Sequence, residues 1–182
     1  MTTTVKRNKK TVPIWGLVGI FIISAWLVGF NTQAGAETVK KLRVTSYITK
    51  MEVLPILDVE GHVVLIYERR GVAVFEDGET AAYLTRGTAD FIKGNGPFQG
   101  YSQLTYKDGA TTTVKYQGNL TTPAGEKLAV YSGKGEYIKG TGRFDGIKGS
   151  VSFSAKYVTP LTKETKGDVV MEVTQTYTLP SK

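Results

Sequence analysis

Cysteine is absent from all 182 residues. Disulfides, thiol chemistry and zinc–thiolate centres are thereby excluded. Histidine is nearly as scarce. His62 stands alone, so a Ser–His–Asp system would have to be built on it, and no Gly-x-Ser-x-Gly elbow accompanies it. It reads as a surface or rim residue at a strand start. With one imidazole and no thiol, a metal would need a carboxylate cluster, and no Asp-x-Asp calcium loop occurs. No metal and no cofactor is expected. Acids are missing before Glu37, and tryptophan is missing after Trp26. Beyond residue 40 no segment keeps a helical apolar period for three turns.

These absences divide the chain. Lys6, Arg7, Lys9 and Lys10 precede an uncharged run from Val12 to Phe30, and Ala34-Gly35-Ala36 supplies a small-x-small cleavage site. Residues 1–36 read as a signal peptide or an N-terminal membrane anchor helix, and 37–182 as the folded domain. The run is long enough to span a bilayer, which leaves cleavage and retention both open. Either outcome places the domain outside the cytoplasm, secreted, periplasmic or anchored at the inner membrane. Membrane contact is expected only through an uncleaved leader. Four of the 23 basic residues belong to the leader, and all 16 acids follow it. The domain therefore keeps 19 bases against 16 acids, scattered rather than clustered, and nucleic-acid binding is not expected.

What remains alternates with period two in residues suited to a pleated surface. Leu42 to Ile48, His62 to Tyr67, Val72 to Phe75, Ala82 to Ile92, Phe98 to Tyr106, Thr111 to Gln117, Leu128 to Tyr131, Ser150 to Val158 and Val169 to Thr178 read as strands. Glu68-Arg69-Arg70-Gly71 separates two of them. Asp77-Gly78 and Asp108-Gly109 mark tight turns, because Asp-Gly accepts the positive φ such turns need. Pro123-Ala124-Gly125 and Thr159 to Gly167 read as loops. The fold class is all-β: a single closed antiparallel barrel of about eight strands.

An internal echo supports closure. Gly87 to Gly100 recurs 46 residues later as Gly133 to Gly146. Each copy runs acid, aromatic, Ile-Lys, then Gly-x-Gly-x-Phe-x-Gly. Gly94, Gly96 and Gly100, with Gly140, Gly142 and Gly146, are expected to form structural corners in equivalent hairpins, where missing side chains permit sharp coiling. A phosphate loop would need a helix after the glycines, and a strand follows instead.

The segment from Gly133 to Gly149, with Glu136, Tyr137, Gly140, Gly142, Phe144 and Gly146 in place, resembles the allene oxide cyclase and dirigent-like β-barrel proteins. It is similar also to small uncharacterised bacterial proteins of that class. The resemblance implies an eight-stranded barrel with an apolar lumen that holds a reactive small molecule in shape. It also implies a homo-oligomer, often a trimer in the plant members. None of the plant proteins' functional residues maps onto a position here, so none is carried over.

Candidate ligand-binding residues, in the lumen or at its rim, are Glu52, Tyr67, Glu68, Arg69 and Tyr83. The carboxylates and the arginine could act as acid–base or anchoring groups. The tyrosines carry an apolar body with a hydroxyl tip suited to an aromatic ligand; no catalytic residue is assigned. The leading expectation is an extracytoplasmic barrel binding a small apolar or aromatic molecule and guiding its cyclisation or coupling. The alternatives are a non-enzymatic envelope scaffold, or a hydrolase or isomerase using carboxylates near residues 52–70.

Overall fold

A computed structural model describes residues 1–2, 36–161 and 164–181. The leader's basic start, its apolar run and Ala34-Gly35 of the cleavage site lie outside the described residues. Eight strands follow in chain order: β1 (Thr38–Pro55), β2 (His62–Phe75), β3 (Thr80–Ile92), β4 (Gly96–Tyr106), β5 (Thr111–Thr121), β6 (Val130–Gly140), β7 (Lys148–Tyr157) and β8 (Val169–Thr178). Each pairs antiparallel with the next, and β8 pairs with β1 to close the barrel. Closure removes every sheet edge. Among the described residues the only helical piece is a 3₁₀ turn, Gly142–Phe144, and no helix is long and apolar enough to cross a membrane.

Period-two alternation sets what faces the lumen. On β8, Val169, Met171, Val173, Gln175 and Tyr177 are buried while their neighbours are not. On β1, Leu42, Val44 and Ser46 are buried in the same way until a bulge between Ile48 and Lys50. The extra residue shifts the phase, so that Met51 next reaches the lumen.

The charged segment expected to separate two strands is the middle of one. β2 runs unbroken through Glu68-Arg69-Arg70-Gly71. Gly71 makes this continuity feasible: a Cβ there would lie 1.9 Å from the Thr45 carbonyl oxygen of β1. The two strands approach too closely at that point for any other residue.

In an up-and-down barrel, turns leading from odd to even strands gather at one end, and those from even to odd at the other. The Asp-Gly turns after β2 and β4 share the second end. Gly78 and Gly109 both take positive φ, and the carboxylates of Asp77 and Asp108 accept hydrogen bonds from the backbone N–H of Glu79 and Ala110. The internal echo falls at both ends. Its first copy forms the β3–β4 hairpin and its second the β6–β7 connection. They are therefore not equivalent hairpins around one rim, because a shift of three strands reverses chain direction.

Gly94, Gly142 and Gly146 sit in positive-φ turns, and Gly96 opens β4. Gly140 closes β6 against the Phe144 carbonyl. Gly100 lies inside β4, on the inner wall rather than at a turn.

Candidate functional site

The second end is sealed by aromatic rings. Phe75, Tyr106, Phe144, Tyr137 and Tyr177 are all buried. Tyr106 and Phe144 stack with centroids 4.6 Å apart, and Tyr177 meets Phe144 and Tyr137 edge-on at 6.3 and 6.0 Å. Arg143 covers this plug from outside, 4.8 Å above both Tyr106 and Phe144. The carboxylates of Glu79 and Asp108 hold it there.

The other half of the lumen is not filled. A cavity of about 120 Å³ lies between floor residues such as Val44, Val114 and Val173 and rim residues such as Met51, Leu65, Phe91 and Leu161. It reaches solvent where Met51 and Leu161, both exposed, form the rim. An eight-stranded barrel is about the size at which side chains either fill the interior or leave room for one small ligand. This barrel does one at each end.

Glycine creates the room. Gly87 pairs with Gly100 across β3 and β4, and Gly118 with Gly133 across β5 and β6. A Cβ on Gly118 would lie 2.5 Å from the Phe98 ring, and one on Gly133 equally close to the Phe153 ring. Each ring therefore reaches into space that a side chain on the wall would otherwise fill. Phe98, Tyr116, Tyr131, Phe153 and Tyr157 form one connected ring belt around the cavity, with centroids 5.5 to 6.3 Å apart.

Polar groups are few and directional. Thr85 donates its hydroxyl proton to the Tyr101 carbonyl at 3.2 Å. At its 2.8 Å contact with Tyr116 it is thus the acceptor, and Tyr116 the donor. That leaves Tyr67 to donate to Tyr116 at 3.0 Å. Without side chains at Gly87 and Gly100 the two phenols have space to meet there; a Cβ on Gly87 would come within 2.7 Å of the Tyr67 hydroxyl. Burial pushes the phenols of Tyr67, Tyr83, Tyr116 and Tyr131 above their ordinary range. They are neutral hydrogen-bonding groups at ordinary pH.

Of the residues singled out from sequence, Tyr67, Arg69 and Tyr83 line the cavity. Glu68 and Glu52 do not. Glu68 faces outward, yet its side chain is only 7% exposed. Its carboxylate accepts from Arg86 at 2.8 Å, Thr49 at 2.9 Å and Arg70 at 3.2 Å, which hold it at a pKa of about 2. Glu52 is exposed, opposite the exposed Ile66 of β2. Asp58 and Asp90 bracket His62 at 2.6 and 2.7 Å and raise its pKa. This clamp joins the β1–β2 turn to β3 and also lies outside the cavity lining. Among the described residues no carboxylate and no histidine lines the cavity, and no group of side chains is arranged to hold a metal. The carboxylates of residues 52–70 have no access to a ligand held there.

Tyr116, Tyr157, Thr85 and the Gly118–Gly133 pair are contributors that the sequence reading did not single out, and Gly100, expected at a corner, instead pairs with Gly87 on the wall. A signal for them is present: an aromatic residue two before a glycine recurs in Phe98-Gln99-Gly100, Tyr116-Gln117-Gly118 and Tyr131-Ser132-Gly133, on three successive strands.

No protein-family model matches the chain, and no curated protein matches it. Among solved structures it is similar to the pterocarpan synthase dirigent protein GePTS1, with 14% identity and a TM-score of 0.47, over 90% of this chain and all of that one. A second, the pterocarpan synthase dirigent protein PsPTS1, matches at 14% identity and a TM-score of 0.46 over 82% of this chain and 99% of that one. At these values the likeness assigns neither a family nor a role to this chain.

Proposed function

We propose that this protein binds a small apolar or aromatic molecule in the half-open lumen and steers that molecule's cyclisation or coupling by holding its shape. The cavity carries the reading. It is largely apolar, ringed by aromatics, furnished with a short chain of neutral phenols, and among the described residues lined by no carboxylate and no histidine. Such a site orders a ligand and excludes water rather than driving proton transfer. The reaction would be one whose chemistry belongs to the bound molecule, with the wall choosing among its conformers. The pterocarpan synthase activity in the names of the two dirigent proteins belongs to those proteins and is not carried over.

The leader supports a location outside the cytoplasm, through its basic start, apolar run and Ala34-Gly35-Ala36 site. The scaffold alternative draws on the exposed Val39, Val72 and Val74 on the outer face of β1 and β2, which a homo-oligomer would cover. Native mass spectrometry of the protein from its own host tests these points together. The expected result is a mature mass beginning near residue 37, with one small molecule retained per barrel. A Val151→Phe variant, which fills the cavity, should lose that molecule. A protein that retains no ligand, and that takes up neither phenol nor p-cresol in calorimetry, would sink the binding reading.

A further inference from the structure

Among the described residues the cavity is lined by one charge, and no opposite charge faces it. Arg69 is 5% exposed and lines the lumen. Among the described residues no carboxylate pairs with it. Its sequence neighbour Glu68 is turned to the outer wall, where Arg70 and Arg86 occupy it. A buried cation with no counter-charge is costly, and hydrogen bonds to neutral groups offset that cost only in part.

Guanidinium carries five N–H donors. Nη2 gives both of its protons to backbone carbonyls, that of Gly167 at 2.6 Å and that of Ser46 at 3.2 Å. Nε reaches the Ser46 hydroxyl at 3.4 Å. Nη1 gives one proton to the Tyr157 hydroxyl at 3.3 Å, and its second meets no acceptor among the described residues. Tyr157 also lines the cavity, with the Arg69 guanidinium 5.4 Å from its ring centroid. Since Tyr157 accepts from Arg69, its own O–H proton remains free to donate. Two unspent donors, one of them cationic, thus stand side by side in a wall whose other polar groups are neutral.

We infer that Arg69 and Tyr157 form an anion subsite, and that the ligand is a single-ring aromatic carboxylate. This rests on the small-molecule reading and narrows it. A carboxylate matches the donors in number, with one oxygen for each, and in charge, one minus for one plus. A phosphate would bring a further charge and oxygens that this wall cannot satisfy. Size limits the body of the ligand. A cavity of about 120 Å³ is close to the ~150 Å³ that takes one benzene in an engineered apolar cavity, so one ring fits and a long acyl chain does not.

Calorimetry on the full-length protein with benzoate, benzamide and toluene tests the inference, the three probes sharing a ring and differing in charge. Benzoate should bind about tenfold or more tighter than benzamide, the equivalent of ~1.4 kcal/mol. Arg69→Gln should erase that preference while toluene binding is unchanged. Because Arg69 also ties down the Ser46 and Gly167 carbonyls, Tyr157→Phe serves as a second variant; it should weaken benzoate severalfold and leave toluene unaltered. If toluene binds and benzoate gains nothing over benzamide, the anion subsite is wrong and the cavity reading survives. If none of the three binds, both fall.

Discussion

At the end of the barrel where β2–β3, β4–β5 and β6–β7 turn, Tyr106, Phe144 and Tyr177 lie ring on ring and the lumen is solid. At the opposite end, rings of the same kinds stand against the wall and a cavity is left between them. Composition does not separate the two, since each is built of phenylalanine and tyrosine on inward-facing positions. Backbone does. At the sealed end a 3₁₀ turn carries Phe144 into the lumen from a connection rather than from a strand. At the open end glycine pairs remove side chains from the wall itself, so the rings sink outward. Whether an aromatic residue becomes core or pocket lining is decided by what its cross-strand neighbour lacks.

The largest effect should come from breaking the seal. Phe144→Ala removes a buried ring packed against Tyr106, Tyr177 and Arg143, and denaturant unfolding should show a loss of about 3–5 kcal/mol. The half-buried Phe91 at the open rim should lose only about 1–2 kcal/mol on the same change, since less of it leaves water on folding. Equal losses would mean that the ends are not differently packed.

Gly118→Ala sharpens the comparison from the other side. Its Cβ would meet the Ser132 carbonyl at 2.3 Å and the Phe98 ring at 2.5 Å. Overpacking of this kind costs about 1–3 kcal/mol, and the displaced ring should enter the cavity and abolish ligand uptake. A crystal structure of the variant would show whether Phe98 moves inward.

Two smaller effects depend on pH and belong to the outer wall. The folded pKa of Glu68 is about 2, below its ordinary 4.5, because Arg86, Thr49 and Arg70 stabilise the carboxylate. Its contribution is complete above about pH 4.5 and is lost as pH falls from there towards 2. Glu68→Gln should flatten that part of the acid unfolding curve. His62 has the opposite sign. Hydrogen bonds donated to the carboxylates of Asp58 and Asp90 raise its pKa above 6.5, so the clamp is complete below 6.5 and weakens as pH climbs through the raised value. Protection factors of amides in the β1–β2 turn, corrected for the intrinsic rise of exchange with pH, should fall across that range while those around Phe144 do not. His62→Gln should remove the dependence.

Much of this arrangement is legible in the sequence, for identifiable reasons. The Asp-Gly turns and the alternating runs report local backbone preferences, and those suffice for an eight-stranded antiparallel closure. The charged run Glu68-Arg69-Arg70-Gly71 misleads, because polarity and glycine together resemble a turn. Only the pairing with β1 shows that Glu68 and Arg69 are both buried, on opposite faces of one strand. The 46-residue echo is plain as a repeat, but its two ends become visible only when intervening strands are counted and found to be odd. The cavity depends on cross-strand register, such as Gly118 opposite Gly133, which no single strand contains.

The central claim is that one end of the lumen is open to a single aromatic ring and the other is sealed against it. Titration of the isotopically labelled protein with p-cresol, followed by two-dimensional NMR, tests it directly. The account expects saturable shifts at Leu65, Phe91, Tyr131 and Leu161, with Phe144 and Tyr177 unmoved. Shifts centred on Phe144 and Tyr177, or none at any concentration, would contradict it.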